Sequence, residues 1–187
     1  MVDNENYEQL MLIKPPYRYI IDTCSILSQK SNEPYRRSVY KTLWDNIDLM
    51  VQNKIIITCS AIKDEIEDEE IITWLQFNKC EILDADIEIQ RNVARIVNEH
   101  PELLNFANMK SSGDAFLIAT AMKYEISIIT EERKGKLKKI PKICEAYDIP
   151  CYSITEMAKH PISGLTEQNV DDQKMYEQAK RNLLKNK

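Results

Sequence analysis

Three short apolar runs divide this chain, and each ends on a polar or acidic residue. Residues 17–21 are β-prone and close on Asp22, which predicts a first strand. Ile55, Ile56, Ile57 and Thr58 predict a second, fully apolar as buried parallel strands are, and residues 126–130 predict a third that ends at Glu131 and Glu132. Between them the pattern changes to helical spacing. Val39, Leu43, Ile47 and Met50 predict a helix over residues 35–51, and Ile89, Val93, Ile96 and Val97 predict another over 86–98, with Pro101 beyond its end. Ser60 is expected to cap a helix carrying Ile62, Glu65 and Ile66, and residues 71–77 to continue as a further helix. Ser111, Ser112 and Gly113 signal a loop from which Asp114 opens an apolar helix, Ala115 to Tyr124. Residues 80–83 are too short to assign. Residues 151–154 are expected to add an edge strand, with Thr155 capping a short helix near Met157.

This alternation predicts an α/β fold, and it gives the acids a common address. In an open α/β sheet the carboxyl ends of the strands and the amino ends of the following helices share one edge, and ligands bind in the crevice outside it. Asp22, Glu65, Asp114 and the Glu131–Glu132 pair are all expected there, although they span more than a hundred residues of sequence. Carboxylates gathered in one cleft repel one another unless a cation neutralises them, and hard oxygen ligands select Mg²⁺ or Mn²⁺. The pattern therefore points toward a metal-dependent phosphodiester hydrolase.

Composition narrows the alternatives. The chain has 187 residues, enough for one domain with a substantial core. Its three glycines, Gly113, Gly135 and Gly164, allow neither a dinucleotide-binding nor a Walker-type phosphate loop. The two histidines, His100 and His160, stand near no other candidate catalytic group, which argues against a Ser-His-Asp or Cys-His triad. The five cysteines form no C-x-x-C pair, and their odd number is a poor disulfide framework, so a reducing cytoplasm fits best. A zinc site built on Cys24 and Cys59 would lack paired histidines, and small buried hydrophobes account better for most of the cysteines. The amino terminus is acidic and polar, unlike a signal peptide, and no apolar run approaches the roughly 20 residues of a membrane span.

The net charge of −5 at first disfavours a nucleic-acid partner, but its distribution does not. Arg133, Lys134, Lys136, Lys138, Lys139 and Lys142 form a strip with no acid among them, directly after Glu131 and Glu132. A basic strip beside an acidic pocket suits a nuclease that holds a phosphate backbone, and the plain alternative is a solvated loop. Each acid also has a plain reading. Asp114 in a first helical turn complements the helix dipole, worth about 0.3–1 kcal/mol, and Glu65 is one charge on an acidic face. Asp22 is harder to explain away, because a strand that stops on an acid followed by Thr23 has no structural need for the charge. Thr130 before two glutamates repeats that arrangement, and both hydroxyls could orient a water or a neighbouring carboxylate.

Together these segments carry a resemblance. Ile20-Ile21-Asp22-Thr23, the Ser60 to Glu65-Ile66 segment, Gly113-Asp114-Ala115-Phe116-Leu117-Ile118-Ala119 and Ile128-Ile129-Thr130-Glu131-Glu132 resemble the ordered motifs of a PIN domain. The chain resembles VapC-type toxin ribonucleases, and more closely a branch of PIN-like bacterial proteins in which K-I-P-x-x-C-E follows the last acid, as Lys139 to Glu145 do here. The resemblance covers residues 18–160. It implies a three-layer α/β/α fold around a mostly parallel sheet, in a domain over 17–163 with an extension at 1–16 and a helical tail at 164–187.

It further implies Mg²⁺- or Mn²⁺-dependent hydrolysis of RNA. Asp22 and Asp114 would be the principal metal ligands, Glu65 and Glu132 outer or second-metal ligands, Glu131 between the motif positions a further candidate ligand, and Thr130 an orienting hydroxyl. Lys134, Lys136 and Lys138 would contact backbone phosphates. Two departures leave the metal count, one or two, open. The fourth acid is Glu132 where the family commonly has Asp, and Cys24 replaces an Asn or Ser that would hold the local turn or a carboxylate. Proteins of this type usually pair with an antitoxin and commonly dimerise. The apolar stripe Tyr176, Ala179, Leu183 and Leu184 in the tail is a candidate contact for either partner. The alternative function is a catalytically degenerate binding module acting through a protein partner.

Overall fold

The computed structural model describes residues 15–103, 113–132 and 139–159. The expected N-terminal extension lies outside these residues apart from Pro15 and Pro16, as do the tail helix and Lys134, Lys136 and Lys138. Residues Tyr17–Pro161 form one compact unit. Its elements in chain order are β1 (Tyr19–Ile21), α1 (Thr23–Leu27), α2 (Lys41–Gln52), β2 (Ile56–Cys59), α3 (Ser60–Asp64), α4 (Glu69–Phe77), β3 (Ile82–Leu83), α5 (Ile87–Glu99), α6 (Gly113–Tyr124), β4 (Ser127–Ile129), α7 (Ile140–Cys144), β5 (Cys151–Tyr152) and α8 (Ile154–Met157).

The strands form a five-stranded sheet in the order β3-β2-β1-β4-β5, with every pairing parallel. Alternation along the strands explains the three layers. Ile20, Ile57 and Ile128 point into one core with Ile62 of α3, Ile89 and Ile96 of α5, Leu117 and Ile118 of α6, and Ile140 and Ile143 of α7. Ile21, Ile56 and Ile129 point into the other, with Ile26 of α1, Trp44 and Ile47 of α2, Ile71 and Leu75 of α4, and Ile154 and Met157 of α8. Strands covered on both faces must be apolar throughout, which is why three isoleucine-rich runs form the centre of the sheet. Each buried isoleucine is worth about 1.5–3 kcal/mol relative to an exposed one.

The strand order reverses direction at β1. The chain moves outward through β2 and β3 on one side, then returns to place β4 on the other. The gap beyond the carboxyl ends of β1 and β4 is thus the topological switch point, where open α/β sheets bind ligands. Register completes the placement: Ile21 pairs with Ile129, so the residues that follow them, Asp22 and Thr130, emerge side by side.

Several expected elements change. The helix expected from residue 35 begins at Lys41, because the chain before it is tied back on itself. Tyr35 and Arg37 donate their backbone N–H groups to Ser28 and Gln29, the Tyr35 carbonyl accepts from the Trp44 indole, and the Arg37 guanidinium grips Asp48 through two bonds of 2.7 and 2.8 Å. Val39, read as the first residue of the apolar stripe, is 59% exposed. Ser60 is the first residue of α3 rather than its cap, and the helix is so short that Glu65 stands at its end. Ser153, not Thr155, caps α8, in a reciprocal capping box with Glu156. The unassigned segment 80–83 contributes β3, and α1 and α7 were not anticipated as helices. No helix among the described residues is long and apolar enough to cross a membrane.

Ile128 has no exposed surface, whereas Val39 has lost the packing its spacing suggested. Urea denaturation should find Ile128→Ala less stable by about 2–5 kcal/mol. Val39→Ser should stay within about 0.5 kcal/mol of the parent.

Candidate active site

Asp22 occupies the N-cap position of α1, yet its side chain makes no capping bond. Its carboxylate turns instead toward the switch point. The Cys24 thiol donates to Asp22 Oδ2 at 2.7 Å, and the Thr130 hydroxyl donates to the same oxygen at 3.0 Å. The backbone of the β4 end supports both donors: Glu131 N–H donates to Cys24 Sγ at 3.3 Å and Glu132 N–H donates to Thr130 Oγ1 at 3.1 Å. Asp22 is only 5% exposed. Burial pushes its pKa up, with the Glu132 charge adding to the rise, while the bonds from Cys24 and Thr130 oppose it. Burial and the Asp22 charge push the Cys24 thiol up to about 12, so it stays protonated and can donate.

Cys24 thus holds the neighbouring Asp22 carboxylate through its thiol. A thiol is a weak donor, but here it is short-ranged, shielded and aimed at a carboxylate. Cys24 lies two residues beyond Asp22, and its bond to that carboxylate is set by the fold rather than by any local pattern.

Glu132 extends the site. One of its oxygens pairs with the Lys139 ammonium, and the other accepts from Ile140 N–H at 2.8 Å. Both partners belong to the start of α7, where Ile140 and Ile143 are buried against the sheet. The bond to Glu132 is the largest reason Lys139 holds its proton more tightly than usual, and the charge of Asp114 acts in the same direction. Asp114 lies in the first turn of α6, within electrostatic reach of Lys139. In the sequence Lys139 stands out as a member of the basic strip and as the first residue of the K-I-P-x-x-C-E stretch, neither of which pairs it with Glu132. Its separation of seven residues from Glu132 carries no recognisable signal without the intervening loop.

Glu65 and Glu131 behave differently. Glu65 Oε1 accepts from Gly113 N–H at 2.7 Å, so it reaches across to the residue before Asp114. A Cβ on Gly113 would lie 2.8 Å from that same oxygen, so an added methyl would move the exposed Glu65 side chain aside. Glu131 turns away from the others and accepts from Ile154 N–H at 2.7 Å, at the start of α8.

Residues 19–162 match the family described as a domain of unknown function, DUF4411. The chain belongs to that family. No curated protein matches it.

The DUF4411 domain can be tested for its fitness to hold a divalent cation. In donor type it fits: Asp22 and Asp114 supply hard oxygens, and the desolvated Asp22 carboxylate beside Glu132 is the electrostatic condition a cation relieves. Thr23 Oγ1, next to Asp22, is buried without a hydrogen-bond partner, which leaves a polar contact available there. In number the set is sparse, since no three carboxylate, thiol or imidazole groups among the described residues lie close enough together to enclose an ion.

Two outcomes test this description. Burial holds Asp22 above its ordinary value of 3.8, so the unfolded chain releases that proton at lower pH than the folded one. The stability tied to Asp22 is then fully present below about pH 4 and lost as pH rises through the folded pKa. In metal-free buffer at neutral pH, Asp22→Asn should melt a few degrees higher than the parent, and calorimetry should find the difference closing as pH falls toward about 4. Gly113→Ala should change stability in urea denaturation by no more than about 1 kcal/mol, since what the added methyl displaces is the far end of the exposed Glu65 side chain and the bond it makes.

Proposed function

We propose that this DUF4411 domain is a metal-dependent endoribonuclease of the PIN type, the toxin of a cytoplasmic toxin-antitoxin pair, hydrolysing RNA phosphodiester bonds. The observation that carries this reading is the buried Asp22 carboxylate at the β1–β4 switch point, bonded by Thr130 and Cys24 and flanked by Glu132. A protein gains nothing in stability by burying an acid in that way, and strongly perturbed carboxylates in a cleft are characteristic of catalytic sites. The ordered PIN-like motifs supply the reaction class, and the parallel sheet order supports the fold they imply.

In this reading Asp22 and Asp114 hold Mg²⁺ or Mn²⁺. The ion when bound would neutralise phosphodiester charge and acidify water at the site. Thr130, linked to Asp22 and to Glu132 N–H, fixes the Asp22 rotamer. Cys24 holds the same oxygen from the other side, so Asp22 is oriented before substrate arrives, which removes reorganisation from the reaction. Glu65 orients the start of α6 and hence Asp114. Lys134, Lys136 and Lys138 would follow the RNA backbone and make binding salt-dependent.

A second reading keeps the fold and discards the chemistry: a degenerate module that acts through an antitoxin-like or other protein partner, or as a homodimer. Its support is the engagement of both Glu132 oxygens by α7.

Incubation of the full chain and its Asp22→Asn variant with a mixed single-stranded RNA pool, in Mn²⁺, Mg²⁺ or chelator, separates the two. The nuclease reading expects cleavage by the parent that requires metal, with the variant at least about 100-fold slower. RNA left intact by folded, metal-loaded parent protein would favour the binding module.

A further inference from the structure

The segment between α1 and α2, residues 28–40, contains no helix or strand, and its only hydrophobic side chain packed against a core is Tyr35. Its place follows from the topology. β1 and β2 run parallel, so the chain that leaves β1 at Asp22 must turn back through α2 before β2 begins, and the segment lies on the same carboxyl edge of the sheet as Asp22. α1 and α2 pack in one core and α7 in the other, so the segment is on the opposite side of the sheet from α7.

Polar contacts fix its shape. Buried Gln29 accepts two bonds from the Arg37 guanidinium, which also grips Asp48 and lies 5.4 Å over the Trp44 ring. The Arg36 carbonyl accepts from both Val39 N–H and Tyr40 N–H, a turn that brings residues 36 and 40 together. The Tyr35 ring meets the Tyr40 ring edge to face at 5.8 Å. What this scaffold leaves exposed is Arg36, Val39 and Tyr40, the tyrosine at 42%. Residues 34–44 include Arg36, Arg37 and Lys41 and no acid. Lys41 pairs with Asp45, but that pair is largely exposed and contributes little, so another anion can compete for the lysine. A loop held in shape while a ring and a guanidinium face solvent is arranged for a ligand rather than for the core. The positive charge selects an anion and the ring selects a flat partner, and an unpaired nucleotide offers both.

We propose that Tyr40 and Arg36 form a platform for single-stranded RNA, the tyrosine ring stacking on an unpaired base and the guanidinium meeting the adjoining phosphate. The proposal rests on the ribonuclease reading for its occupant and deepens it, adding a substrate contact outside the acidic site and apart from Lys134, Lys136 and Lys138. Bases in a duplex are already stacked on one another, so the platform favours single strands.

Fluorescence anisotropy of a labelled single-stranded RNA of mixed sequence, titrated with the full chain in chelator, tests this without any cleavage. Tyr40→Ala should weaken binding about tenfold, and Tyr40→Phe, which keeps the ring, should bind within about twofold of the parent. Arg36→Gln should lower the slope of log affinity against log salt by about 0.7, the share of one phosphate on a single strand, whereas Tyr40→Ala should leave that slope unchanged. Parent and Tyr40→Ala should bind the corresponding duplex equally. The Tyr40 side chain makes no capping bond to α2 and Arg36 is exposed, so the variants are expected to fold, and thermal unfolding verifies it. Equal affinity of parent and Tyr40→Ala for the single strand would overturn the platform, and so would a parent that binds no single-stranded RNA. In either case, metal-dependent cleavage that is lost in Asp22→Asn would keep the ribonuclease reading.

Discussion

The structure depends on keeping a carboxylate where water can barely reach it. An ionised side chain taken out of water costs several kcal/mol unless partners replace its hydration. Asp22 is accommodated because two protonated donors, a hydroxyl and a thiol, meet one of its oxygens, and because each donor is fixed by a backbone N–H from the end of β4. Two of those four bonds, Thr130 to Asp22 and Glu131 N–H to Cys24, join segments more than a hundred residues apart. The arrangement exists only if β1 and β4 are neighbours in correct register, so the polar site and the hydrophobic sheet depend on each other.

The two cores supply that register. Isoleucines alternate between faces along β1, β2 and β4, and a slip of one residue would exchange every one of them between the two helical layers. The packing that sets Ile21 opposite Ile129 therefore also sets Asp22 beside Thr130. Around this pair, short helices rather than long ones bring in the remaining groups. α3 ends after five residues, which lets Glu65 reach Gly113, and α7 presents Lys139 and Ile140 N–H to Glu132.

Each acid thus has a distinct environment, and the differences matter more than the number of acids. Asp22 is buried and bonded by neutral donors. Glu132 is neutralised by a lysine, Glu65 braces the backbone before Asp114, and Glu131 serves a neighbouring helix. A site of this kind discriminates between its carboxylates before any ligand arrives.

The sequence by itself determined the α/β class, the three central strands and the helices α5 and α6, because burial on two faces demands unbroken apolar runs and an amphipathic helix requires a 3.6-residue period. It also singled out Asp22, since a charge that ends a buried strand has no packing purpose. Tertiary structure alone decided where helices yield to other bonding. Residues 35–40 carry helical spacing, yet their backbone groups are used by Ser28, Gln29 and Trp44. Only the folded chain could separate Glu131 from Glu132, adjacent in sequence but turned toward different helices. The same is true of Cys24 and Lys139, whose roles depend on contacts with Thr130 and Glu132 that local pattern does not encode. Periodicity reports which face of an element meets the core, whereas hydrogen-bond partners across a sheet are set by register and loop path, and these emerge only when the layers pack.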